Sequence, residues 1–181
     1  MRISFSYFAI PIIAICGLSN AFAVDNSAQV RNRADEFASK GMEFTLKECS
    51  IPTTCGGMPF IKQRKEKRET GNDLVVEERT LEFEGLIVEL GFALEYPPGK
   101  AIKDPYKHPS ILGLTITQPR WPVVHGLRVG VDRALVIQTL GEGTIQGECI
   151  EYVSVKKQDS VLICLKNNRV NSIKWVPWSD A

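Results

Sequence analysis

The first 23 residues have the build of an export signal, and that constrains the fold because it decides what the cysteines behind them become. Arg2 supplies a positive start, Ile3 to Leu18 an apolar stretch, and Ala21-Phe22-Ala23 a small-x-small cleavage site before Val24. A membrane span needs about 20 mainly apolar residues, and Ser4, Ser6, Pro11, Ser19 and Asn20 dilute this stretch. Cys16 offers a second outcome, lipidation after cleavage, which would tether the protein to a membrane. Ile15 stands where a lipoprotein signal wants a small residue. The sequence therefore predicts a free protein, periplasmic or secreted.

Cleavage after Ala23 leaves Val24 to Ala181, 158 residues and the size of one domain. It also removes Arg2, so 21 basic residues face 21 acidic ones. A neutral domain has no global pull toward nucleic acid or acidic lipid. Four cysteines remain, Cys49, Cys55, Cys149 and Cys164. In an exported chain an even number reads as disulfides, with three possible connectivities. Proximity in sequence favours Cys49–Cys55, around the turn-forming Pro52, and Cys149–Cys164, a staple between neighbouring strands. Each closure is worth about 2–3 kcal/mol on loop entropy. A metal site lacks paired C-x-x-C spacing and clustered histidines.

Along the mature chain, Val30, Ala34, Phe37 and Ala38 share a helical face within Asp25 to Lys40, and Gly41 is the expected stop. Met42 to Cys49 alternates like a half-buried strand. The run from Lys62 to Arg68 reads either as a cationic contact patch or as an edge strand kept soluble by charge. Leu74 to Phe83 and Leu86 to Glu95 form the clearest hairpin, turning at Glu84-Gly85. A long polar loop from Pro97 to Pro109 follows, then a strand from Ile111 to Thr117. After Gly130, Asp132 and Gly141 bracket a helix of two to three turns. Cys149 to Val155, Val161 to Leu165 and Val170 to Val176 close the chain as a β-meander. The fold class is α+β: a mainly antiparallel sheet, an N-terminal helix and a short helix before the meander, stapled by disulfides.

Between Gly126 and Trp175 the chain has a Gly-apolar-x-apolar-Gly lead (Gly126, Leu127, Val129, Gly130), a short helix with Val136 that ends in Leu140-Gly141, and a β-meander with Tyr152 and Ile173. This pattern resembles the small outer-membrane-assembly lipoproteins of the BamE type. Val131 stands where the pattern has an acidic or polar residue, and the lipidated N-terminal cysteine is missing. The resemblance implies an α+β envelope domain; a role in envelope assembly would be analogy from fold.

Catalytic signals are sparse. His108 and His125 each lie by proline-rich loop sequence, with no nucleophile motif near either. Glu78, Glu82 and Glu84 fall on one face of the hairpin, which is the pattern of a solvent face and also of a carboxylate pair for glycoside hydrolysis. Oxidised cysteines leave no thiol nucleophile. Trp121, beside Arg120, and Trp175 with Trp178 read as contact anchors or as core. The sequence thus predicts a non-catalytic domain without cofactor or metal that binds another protein. Inhibition, immunity and envelope assembly are the fitting roles. The expected contact residues are Tyr106 in the Pro97–His108 loop, Arg120, Trp121 and His125, because rigid scaffolds present function on loops. The competing reading is an envelope hydrolase using His125 or the Glu78/Glu82 pair.

Overall fold

The computed structural model describes residues 19–70, 73–107, 109–155 and 158–177, with only the helical backbone for 19–26. Cys16, His108 and Trp178, all named above, lie outside the described residues. The chain opens with helix α1 (Ser19–Leu46). Three two-residue strands follow, β1 (Cys49–Ser50), β2 (Thr54–Cys55) and β3 (Met58–Pro59). Then come β4 (Lys62–Glu69), β5 (Val75–Phe83), β6 (Leu86–Glu95) and β7 (Ser110–Ile116). Helix α2 (Arg133–Leu140) leads into β8 (Thr144–Gln146), β9 (Cys149–Val153), β10 (Ser160–Lys166) and β11 (Arg169–Val176). The fold is α+β, with antiparallel sheets and both expected disulfides, Cys49–Cys55 and Cys149–Cys164.

Eight strands form one antiparallel sheet in the order β4-β5-β6-β7-β11-β10-β9-β8. Its inner face follows from the period of two. Leu81 lies opposite Val88, Val88 opposite Leu114, Trp175 opposite Leu114, and Val161 opposite both Trp175 and Tyr152. Nearly all of these residues are fully buried.

Two different covers seal that face. Over β9–β11 lies α1, whose Phe37 ring packs 5.4 Å from the ring of Trp175. Trp175 Nε1 donates to the Phe37 carbonyl at 3.1 Å. At about 25 cal/mol per Å², an aromatic burying some 150–250 Å² contributes roughly 4–6 kcal/mol before entropy is counted. Over the Glu84-Gly85 end of β5 and β6, the cover is the β1–β3 sheet with Trp121 and Val123, all part of one core with Phe83 and Leu86.

Three expectations need correction. Met42 to Cys49 is not a strand: α1 runs on to Leu46, because Thr45 and Leu46 continue the buried helical stripe of Phe37 and Ala38. Gly41 does not stop the helix. It makes room, since a Cβ there would lie 2.7 Å from Trp175 Cζ2. The helix also begins before Asp25, its backbone extending to Ser19 across the expected cleavage point. The small strands β1–β3 and the edge strand β8 were not legible, being only two or three residues each.

The hairpin, the β7 strand, α2 and the meander lie where the periodicity puts them. Gly85 takes φ 73° in the turn, and Gly141 takes φ 78° with its N–H donating to Ile137 O. The charged run Lys62 to Arg68 is β4, an edge strand.

Candidate binding surface

The loop after β6 is long and polar, yet it is fixed at several points. Ile102 N donates to Leu94 O at 2.7 Å, Tyr96 N to Lys100 O at 3.0 Å, and Glu95 bridges Ala101. Glu95 Oε2 accepts from Gly99 N at 2.8 Å, and its Oε1 from Lys67 Nζ at 3.2 Å. The Gly99 amide first, then the bond to Lys67 and its charge, hold the Glu95 carboxyl below its ordinary 4.5. With the folded value depressed, this tether is complete above pH 4.5 and is lost as pH falls through the folded value.

The far end of the loop rests on a stacked cation. The Arg79 guanidinium carbon lies 4.5 Å from the ring centres of both Phe92 and Tyr106, and Arg79 Nε donates to Glu77. Tyr106 Oη lies 3.5 Å from the other oxygen of Glu77. Arginine on an aromatic face in a part-desolvated site is worth about 1–2 kcal/mol. Glu77 and Arg79 fall in the same period-two row of β5 as Val75, Leu81 and Phe83, and the loop residue Tyr106 covers them. Among the residues the loop presents outward are Tyr96 at 60 % exposure, Tyr106 at 47 %, and three lysines, Lys100, Lys103 and Lys107, against one acid, Asp104.

The expected contact residues do not form one surface. Tyr106 sits beside Glu77, whereas Arg120 Nη1 bonds Glu84 at 2.9 Å. Seven residues of β5 and its turn separate those two glutamates, about 24 Å at strand rise. Trp121 is not an exposed anchor. It is 5 % exposed, its Nε1 donates to Glu84 O at 2.9 Å, and it plugs the core under Gly56. Arg120 lies over the Trp121 ring and reaches Met58 Sδ. His125, at φ 61°, turns to helix α1, with Nε2 3.5 Å from Glu36 Oε2. Trp175 is core.

The carboxylate row on the hairpin is engaged by β4. Glu82 pairs with Lys62 at 3.2 Å, and Glu78 accepts from Arg68 Nε at 2.7 Å. Four residues apart on one strand, Glu78 and Glu82 have backbones about 13 Å apart, beyond the 5–9.5 Å of a glycosidase pair. Among the described residues no three His, Cys, Asp or Glu side chains gather as a metal site, and no helix is long and apolar enough to cross a membrane.

One further polar group is buried at the α2 end. Tyr152 Oη donates to Gly141 O at 2.8 Å. Burial, then the charge of Glu142, push its hydroxyl up to about 12. Sequence reasoning had used Tyr152 only as part of the Gly126–Trp175 pattern. The Arg79 sandwich was missed, because residues 79, 92 and 106 come together only when the loop folds back. Comparison with protein-family models, characterised proteins and solved structures finds no match to this chain.

Proposed function

We propose that this chain is exported, cleaved after Ala23, and works outside the cytoplasm as a non-catalytic domain that binds another protein through the loop from Tyr96 to Lys107. One observation carries the reading: a long loop pinned by Arg79, Glu95 and Ile102 still turns two tyrosines and three lysines to solvent. A loop already held in one conformation loses less entropy on association, and tyrosine supplies contact area with few rotors. The lysines favour an acidic partner surface. Export is supported by two disulfides of the kind that persist in oxidising compartments. It is also supported by the packing of α1, whose Val30, Phe37 and Ala38 meet the body of the fold on the far side of the cleavage site. Inhibition, immunity and envelope assembly all fit such a binder, the last by analogy with the BamE type.

The hydrolase reading loses ground because Glu78 and Glu82 are spread along a strand and each is neutralised by a β4 cation. Affinity capture from envelope extract with the mature protein, repeated with Tyr96→Ala, tests the binding reading. Tyr96 is 60 % exposed, so the expected result is at least a tenfold loss of affinity for the captured partner with unchanged thermal stability. Equal recovery by both proteins would overturn the loop as the surface.

A further inference from the structure

The two edges of the large sheet are built differently. Edge strand β4 reads KQRKEKRE, seven charged residues in eight, which discourages another strand from adding to it. Edge strand β8 reads TIQ, carries no charge, and leaves Ile145 59 % exposed. It is held against β9 by close packing at Gly143, where a Cβ would lie 2.6 Å from Glu151 O and 2.7 Å from Ile150 Cγ2. Beside this open edge is a cavity of about 750 Å³ with an apolar floor of Ile145, Ile150 and Leu165. Its rim carries Arg133 and Lys166 against a single carboxylate, Glu148. Neither cation has an ion-pair partner among the described residues.

We propose that β8 is a docking edge for an extended segment of a partner polypeptide, which adds as a ninth strand and places a carboxylate side chain in the Arg133/Lys166 cavity. Strand addition draws its affinity from main-chain hydrogen bonds and its specificity from pockets that take alternate side chains. Here the edge and the pocket adjoin, and the net positive rim selects an acid flanked by β-forming apolar residues. This site lies apart from the Tyr96–Lys107 loop, at the opposite edge half of the sheet.

The test is selection of a displayed random heptamer library on the immobilised mature protein. The expected winners carry Asp or Glu between apolar residues, and synthetic versions slow hydrogen exchange at Ile145. Their affinity should fall at least tenfold for Arg133→Glu with Lys166→Glu, a variant that leaves the strand itself intact. Ile145→Pro should abolish binding, with circular dichroism checking that the fold survives. Tyr96→Ala should leave heptamer binding unchanged, which separates this site from the loop. No enrichment over Ile145→Pro would overturn the proposal. So would protection mapped to another strand, or a β8-paired dimer of the chain in sedimentation that excludes peptide.

Discussion

The two halves of the large sheet solve the same problem by different means. From β9 to β11 the inner face is roofed by α1, with Phe37 and Trp175 interlocked and a disulfide linking Cys149 to the directly opposed Cys164. From β4 to β6 the roof is irregular: a two-residue-strand sheet, Trp121, and a folded-back loop resting on Arg79. Both halves bury aromatics, Phe37 and Trp175 in the first and Phe83, Phe92 and Trp121 in the second, but the first has its disulfide between strands of the large sheet itself. The second is laced with ion pairs such as Lys62–Glu82 and Lys67–Glu95, which are exposed. Exposed pairs contribute only about 0–1 kcal/mol each, whereas a buried aromatic contributes several. One core thus runs under both halves, and the difference lies in what roofs it: a regular helix over one, and over the other loop and ion-paired edge, where adaptable surface on a rigid frame is generally found.

Trp175→Ala puts the largest strain on that contrast. Removing a fully buried indole should cost about 3–5 kcal/mol, measured by urea unfolding. Hydrogen exchange should rise first in β9–β11; an equal rise in β4–β6 would show one cooperative sheet and dissolve the contrast. Replacing Cys149 and Cys164 together by Ser should cost about 3 kcal/mol, again read from urea midpoints. A loss no greater than that from replacing Cys49 and Cys55 would mean the longer closure gives the helix-roofed half no advantage over the other.

Alkaline titration sharpens the same comparison at smaller scale. Tyr152 is raised in the fold from 10 to about 12, so its stabilising share is complete below pH 10 and is lost as pH rises through 12. Tyr152→Phe should lower stability at pH 7 by about 1 kcal/mol, the worth of its bond to Gly141. It should also flatten the decline between pH 10 and 12; an unchanged slope would assign that decline to another group. The smallest effect belongs to the ion-paired half. Glu82→Gln should change stability by less than about 1 kcal/mol, and a larger loss in urea unfolding would make the β4–β5 ladder a true structural element.

Legibility in the sequence tracked the length of each pattern. The β5–β6 hairpin was readable because Leu81, Phe83, Leu86, Val88, Leu90 and Phe92 keep period two across a Gly turn. Helix α2 was readable from Asp132 and Gly141 at its ends. Residues 42–49 misled because Met42, Phe44 and Leu46 alternate by accident, while the buried positions Gly41, Thr45 and Leu46 follow the helical period and Phe44 is exposed. Strand β8, three residues long, offered too few positions for any period to show. At the candidate surface, Tyr106 was picked from its loop. Its partners Arg79 and Glu77 were not, since contacts across nearly thirty residues leave no local trace.

By itself the sequence determined the α+β class and the strand and helix order in the C-terminal half, and it favoured, out of three connectivities, the two disulfide pairings that form. These rest on local periodicity, turn chemistry and short loop closure. Only the tertiary structure decided that Gly41 makes room for Trp175, that Trp121 is core, and that Arg79 anchors the loop at Tyr106. Each of those depends on where a distant residue arrives, and a side chain's role is set by its neighbours in space.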